Sequence, residues 1–262
     1  MADERARTGP RESSPPPPSR SRSTEPIKAL TDGGVGVVVA AVSVVLVGMA
    51  ISQFWIADAH LADLAAYLAV WVPLGASVLV ASFWHGTRSL VRDVGLRFRP
   101  LDALWGLSVG LLARVAASIV EISIYGRMGS GGVTLDEPLH DAWWLFGALL
   151  APVLIAPFIE EVFFRGLLLR AVSGVTVSNG GGRMLSAGIA VTVSALVFAA
   201  LHVLVVGGGS GNSYLAAVLV VGLSTLVFGL AAGILAVTTG RIGGAIIAHV
   251  TFNALVVVPA VF

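Results

Sequence analysis

Long apolar runs separated by short polar stretches recur along almost the whole chain. An α-helix needs roughly 20 apolar residues to cross a hydrocarbon core about 30 Å thick, and seven runs approach or exceed that length. The fourth run continues past residue 164 as an amphipathic end. The pattern therefore predicts an all-α fold, a polytopic transmembrane helical bundle. The seven predicted spans lie near residues 35–56, 61–84, 101–124, 143–164, 184–206, 214–237 and 242–261.

The composition agrees with this class and narrows the function. The chain is 56% hydrophobic and 12% charged, with a mean hydropathy of +0.91, whereas a soluble domain carries about 25% charged residues. The net charge is +1, and the basic residues lie between apolar runs without forming a patch, so nucleic acid is not an expected partner. The chain has no cysteine, which excludes a disulfide framework, a thiol nucleophile and a thiolate metal site.

The first 34 residues differ from the rest of the chain. Four consecutive prolines at 15–18 stand among Ser, Arg and Glu, a composition typical of a disordered tail, with a polyproline partner motif as the alternative. No apolar stretch precedes Val35 and the run that follows is long enough to span, so a cleaved signal peptide is not expected. We divide the chain into a tail (1–34), N-terminal transmembrane helices (35–142) and a C-terminal core (143–262).

Basic residues are concentrated in every second connection between the predicted spans. They are concentrated in the tail, in the stretches 85–100 and 165–183, and at Arg241, whereas the intervening loops carry almost none. Positively charged residues mark the cytoplasmic side of a membrane protein. The alternation therefore predicts seven spans with the amino terminus in the cytoplasm and the carboxyl terminus outside, in an integral membrane protein that we expect in a bacterial plasma membrane.

A pair of carboxylates lies at the cytoplasmic end of the fourth predicted span. Charged groups are costly in a bilayer, so each is a functional candidate. Glu161 and Arg165 are four residues apart, share a helix face and can pair. Glu160 points about 100° away from Glu161 on the helix and stays free for chemistry. The alternative is an ion pair that anchors the helix at the interface.

Two later spans each carry a histidine within a four-residue spacing. Phe198 and His202 share one face of the fifth span, and His249 and Asn253 share one face of the seventh. Each histidine alone could simply hydrogen-bond a neighbouring helix. Together, a carboxylate base, two imidazoles and an amide donor are the groups needed to activate water and stabilise an oxyanion. The combination predicts an interior catalytic cavity.

These three stretches, with the patterns EExxxR, FxxxH and HxxxN, resemble the motifs of the CPBP family, which comprises CAAX proteases and bacteriocin-processing proteins. The resemblance covers roughly residues 143–262. The stretch Gly-Leu-Arg-Phe-Arg at 95–99 also looks like the loop that precedes the family's core. Eukaryotic members cleave the last three residues from prenylated CaaX proteins, whereas some relatives act in bacteriocin immunity or as scaffolds.

The resemblance implies an intramembrane glutamic endopeptidase. Glu160 would activate the hydrolytic water with His202 as its partner, and His249 and Asn253 would bind the oxyanion. Glu161 would support this site and pair with Arg165. The partners would be the lipid bilayer and a peptide or protein substrate, such as a membrane-associated or lipidated peptide or a bacteriocin-type precursor. No cofactor is implied, because the family's mechanism is now interpreted as independent of metal.

A metal-dependent membrane protease is the nearest alternative, since two His and two Glu could ligate zinc. None of the five histidines begins an HExxH motif, however, so this mechanism is less favoured. The GxSG string at 208–211 resembles a serine-protease motif but lies in a glycine-rich loop, where a turn is favoured. Asp58, Asp63 and Asp102 lie near span ends, which argues against an aspartyl intramembrane protease.

A non-catalytic scaffold, an immunity protein or a transporter is the alternative outside enzymes. Arg114 and Glu121 are seven residues apart in the third span and could line a polar pathway. An internal ion pair that stabilises the bundle is the favoured interpretation. A transporter also predicts inverted repeats, and none is evident between the two halves of the sequence.

Overall fold

Seven long helices form the fold in the computed structural model, which describes residues 25–128, 142–206 and 211–261. No strand occurs within these residues. A single helical turn, Leu90–Asp93, precedes the third long helix. The long helices are α1 (Pro26–Ser52), α2 (Ala59–Phe83), α3 (Pro100–Tyr125), α4 (Ala142–Ser178), α5 (Arg183–Val205), α6 (Asn212–Thr239) and α7 (Gly243–Val261).

The predicted all-α polytopic bundle is confirmed. Helices α1 to α6 are long and apolar enough to cross a membrane, and α7 is a shorter apolar helix. Each of the seven helices overlaps one of the seven predicted spans, and the protein is an integral membrane protein. The orientation of its termini stays a prediction. Residues 1–24 of the predicted tail and residues 208–210 of the GxSG string lie outside the described part of the chain.

Helix α1 begins at Pro26, earlier than the span predicted from residue 35. Proline is well suited to the first turn of a helix, where its missing N–H has no partner to lose. The early turns bury Ala29 and Gly33, and a Cβ at Gly33 would lie 3.7 Å from Leu168 of α4. Small residues let helices approach closely in a membrane, but they contribute little hydropathy. Residues 26–34, which hydropathy assigned to the tail, belong to helix α1.

Helix α4 runs continuously over Ala142–Ser178, well past the span predicted to end near residue 164. The predicted continuation beyond that point is present. Two π-helical segments, Leu145–Ile155 and Val162–Leu168, flank the α-helical turns Ala156–Glu161. The two glutamates consequently lie near the middle of a long helix. π-helical segments within helices often mark functional sites.

Two ion pairs involve α3: one joins its start to Arg241, and the other lies within the helix itself. Asp102 is fully buried at the start of α3, where it accepts a hydrogen bond from the Arg99 N–H at 2.8 Å and pairs with Arg241 at 2.7 Å. Further along α3, Arg114 donates to both carboxylate oxygens of Glu121 at 2.7 and 2.8 Å. The expected internal Arg114–Glu121 pair is thus present. Helix α7 packs along α3 and also contacts the middle of α4.

Candidate functional site

Glu161 and Arg165 form a fully buried ion pair at the centre of the bundle. The Arg165 Nη1 donates to Glu161 Oε1 at 2.7 Å, as expected from their spacing, and both side chains are 0% exposed. The same carboxylate oxygen also accepts a hydrogen bond from His249 Nδ1 on α7 at 2.9 Å. One carboxylate therefore holds together two of the three motifs.

An aromatic cage surrounds the Arg165 guanidinium. Its central carbon lies 4.6 Å from the ring centroid of Phe198, 5.5 Å from that of Phe228 and 5.9 Å from that of Phe164. A desolvated cation is stabilised by aromatic faces at such distances. The guanidinium also donates to the Gly229 carbonyl at 3.2 Å. Phe198, the first residue of the FxxxH motif, thus supports the ion pair of the EExxxR motif.

Glu160 projects away from this pair, toward both histidines. Its Oε2 lies 3.7 Å from His202 Nε2 and 3.9 Å from His249 Nε2. These separations are longer than a hydrogen bond, so the three groups face one another without being bonded. The Glu160 side chain is 11% exposed, and that of His202 is 32% exposed. The prediction that Glu160 stays outside the Glu161–Arg165 pair agrees with this geometry.

The protonation pattern of the His202 ring follows from its second nitrogen. Nδ1 lies 2.9 Å from the Phe198 carbonyl oxygen, which can only accept, so Nδ1 carries the hydrogen. In the neutral ring, the Nε2 lone pair then faces Glu160. The ring centroid also lies 4.2 Å from that of Phe198, which restricts the orientation of the imidazole.

On α7, His249 and Asn253 face α4 at different points. His249 is 3% exposed and packs against Phe228, with ring centroids 4.5 Å apart. Asn253 Nδ2 donates to the Pro152 carbonyl at 2.7 Å. This bond uses one of the two hydrogens on the amide nitrogen. Asn253 therefore already has a structural contact, which its sequence position does not indicate.

A cavity of about 530 Å³ opens onto the exposed sides of Glu160 and His202. Its volume lies within the range of small-ligand sites, about 300–1,000 Å³. Most of its lining is apolar, and half of the lining residues come from the N-terminal helices, including Val47 of α1 and Tyr67 and Trp71 of α2. Sequence reasoning missed this contribution. The available signal was the four-residue spacing of Tyr67 and Trp71 on an otherwise largely aliphatic helix.

The structure thus brings Glu160, Glu161, Arg165, Phe198, His202 and His249 into one region, whereas the side chain of Asn253 contacts the Pro152 carbonyl. Glu160 and His202 line the cavity, whereas His249 is buried behind Glu160. Within the described ranges, no group of three or more His, Cys, Asp or Glu residues is arranged to hold a metal ion.

A comparison with known protein families matches residues 142–255 to the Rce1-like model, described as type II CAAX prenyl endopeptidase Rce1-like. The matched segment extends from the start of α4 into α7 and contains all three polar motifs. No curated protein and no solved structure matches the chain.

Proposed function

From the match of residues 142–255 to the Rce1-like family of CAAX proteases, we propose that the protein cleaves peptide bonds with a water activated by Glu160. The family is one of proteases and the chain is an integral membrane protein, so the broad class is an intramembrane endopeptidase. The observation that carries the finer proposal is the unbonded Glu160 carboxylate, which faces two histidine nitrogens at the edge of a cavity.

The gap between Glu160 and His202 suits a bound water. Two atoms 3.7 Å apart can both lie about 2.8 Å from one water oxygen, which is a normal hydrogen-bond length. The water donates one hydrogen to the Glu160 carboxylate and the other to His202 Nε2. As its oxygen attacks the scissile carbonyl carbon, its proton passes to Glu160. Protonated Glu160 then gives that proton to the leaving amine when the C–N bond breaks.

His249 and Asn253 are proposed to stabilise the oxyanion. With its Nδ1 hydrogen bonded to Glu161, His249 can donate from Nε2 only as an imidazolium. Asn253 keeps its second amide hydrogen for the same oxyanion while the first holds the Pro152 carbonyl.

The apolar cavity wall supports a membrane-associated or lipidated peptide as the substrate class. Valines from α1 and aromatic rings from α2 would contact the chain beside the scissile bond. A bacteriocin-type precursor belongs to the same chemical class. We propose that the substrate reaches Glu160 between α1, α2 and α5, whose residues line the cavity.

Peptide cleavage itself is the decisive test. The purified protein, reconstituted in liposomes, is incubated with membrane peptides recovered from cells that lack the gene, and new peptide ends are identified by mass spectrometry. We expect a defined set of cuts. In a second experiment, the peptides of cells with and without the gene are compared, and the same cuts should occur only in cells that carry the gene. If no cut forms in either experiment, the chain is a non-catalytic scaffold or immunity protein.

We expect cleavage to survive strong chelators. Water activation by Glu160 needs no metal, so the rate after treatment with EDTA or 1,10-phenanthroline should equal the untreated rate. The comparison is made on the reconstituted protein, with a zinc metalloprotease treated in parallel as a positive control. Loss of activity that zinc restores would instead support the metal-dependent alternative.

His202→Phe is expected to lower kcat about 100-fold, in the range of acid–base contributions. The phenyl ring keeps the ring contact with Phe198 but removes the Nε2 lone pair that faces Glu160, together with the Nδ1 hydrogen bond to the Phe198 carbonyl. His60→Phe is the matched control, because His60 stacks on Trp143 at 5.4 Å and does not line the cavity. Initial cleavage rates of both variants give the comparison. Equal rates for the two would show that His202 is only a packing residue.

A further inference from the structure

Two prolines in α4 leave two backbone carbonyls without their helical partners. Ala156 N–H bonds to the Ala151 carbonyl, five positions earlier, which shows the π-helical pairing in this segment. Proline has no N–H to donate. In the same pairing, Pro152 leaves the Gly147 carbonyl free. The Pro152 carbonyl is also free, because the Ala156 N–H bonds to Ala151 and the next residue, Pro157, has no N–H.

Side chains from two other helices bind these carbonyls. The Tyr67 hydroxyl of α2 donates to the Gly147 carbonyl at 2.9 Å, and Asn253 Nδ2 of α7 donates to the Pro152 carbonyl at 2.7 Å. A free carbonyl in a bilayer is costly unless a neighbouring helix satisfies it. The partners thus replace the two missing N–H groups, and they hold α4 from two different helices.

The π-helical segment determines where Glu160 points. A π turn contains more residues than an α turn, so the number of π-bonded residues before Pro157 sets the direction in which Glu160 leaves the helix. If the segment relaxed toward α-helical pairing, Glu160 would rotate away from His202 and His249. Because Glu160 is held 3.7 and 3.9 Å from their nitrogens without a bond, its contacts with the histidines do not resist that rotation.

We propose that Tyr67 is a positioning residue for Glu160, acting through its hydrogen bond to the Gly147 carbonyl. This inference rests on the proposed function and extends it to α2, outside the segment that matches the family. Tyr67 also lines the cavity, so the test must separate a role through α4 from direct contact with substrate.

The ring and the hydroxyl of Tyr67 can be tested apart. The ring stacks on Trp71 with centroids 4.8 Å apart and meets Phe146 edge-on at 6.4 Å. Tyr67→Phe preserves both ring contacts and removes only the hydroxyl. Tyr125→Phe at the end of α3 is the matched control, since Tyr125 does not line the cavity.

The experiment measures kcat, KM and the melting temperature of the wild type and both variants in the same liposomes and detergent. We expect Tyr67→Phe to lower kcat about tenfold, because small misplacements of a catalytic group are costly, with KM unchanged. Its melting temperature should fall by no more than about 4 °C. Tyr125→Phe should match the wild type.

Three results would overturn the assignment. An unchanged kcat would show that the hydroxyl does not position Glu160. A raised KM with unchanged kcat would make Tyr67 a substrate contact. A large fall in melting temperature with normal kcat below it would make the bond purely structural. If the wild type itself cleaves nothing, the proposed function fails first and this inference with it.

Discussion

Glu160→Gln is expected to abolish peptide cleavage by the reconstituted protein and to leave the bundle folded. The amide has nearly the shape of the carboxylate but cannot accept a proton from water. The side chain makes no hydrogen bond to either histidine, at 3.7 and 3.9 Å, so the substitution should not break a native contact with them. Loss of a general base costs about 100- to 10,000-fold in rate. Cleavage rates and melting temperature are measured on the same preparation.

Glu25→Gln is the control for this substitution. It makes the same chemical change in an exposed ion pair with Lys28, at 3.0 Å near the start of α1, and should leave cleavage unchanged. Undiminished cleavage by Glu160→Gln would disprove the assignment of Glu160 as the base. Loss of cleavage together with a lowered melting temperature would indicate a structural defect in place of a chemical one.

Among the substitutions considered, Arg165→Met is expected to lower the stability of the folded protein most. The substitution leaves the Glu161 carboxylate buried without its cation, and breaking a buried ion pair in this way costs about 3–5 kcal/mol. It also removes the guanidinium from the cage of Phe164, Phe198 and Phe228. The melting temperature in detergent, measured from the loss of helical signal, checks the prediction.

Two further variants show whether the uncompensated charge is the cause. Lys28→Met removes the cation of the exposed pair and should change the melting temperature little, because exposed pairs contribute little. Glu161→Gln/Arg165→Met should melt at a higher temperature than Arg165→Met alone. The amide introduced by Glu161→Gln can still accept a hydrogen bond from His249 Nδ1 but carries no charge. If this double variant melts no higher, the loss comes from packing and the electrostatic explanation is wrong.

The helices and the local pairs could be predicted because they depend on neighbouring positions. Apolar runs long enough to cross a bilayer predicted all seven helices, and the four-residue spacing predicted the Glu161–Arg165 pair. The start of α1 was misjudged, since Ala29 and Gly33 bury well but add little hydropathy. Gly33 allows close contact with Leu168 of α4, which hydropathy does not record.

The helical bundle and the set of reactive groups follow from the amino-acid sequence, because helix formation in lipid and side-chain spacing along one helix are local properties. How those groups meet depends on the packing of the helices in three dimensions. His249 bonds to Glu161 and Asn253 to the Pro152 carbonyl, across 88 and 101 positions of the chain. Tyr67 reaches α4 in the same way. Such contacts depend on the rotation of each helix about its axis, and that rotation is set by packing against all its neighbours together.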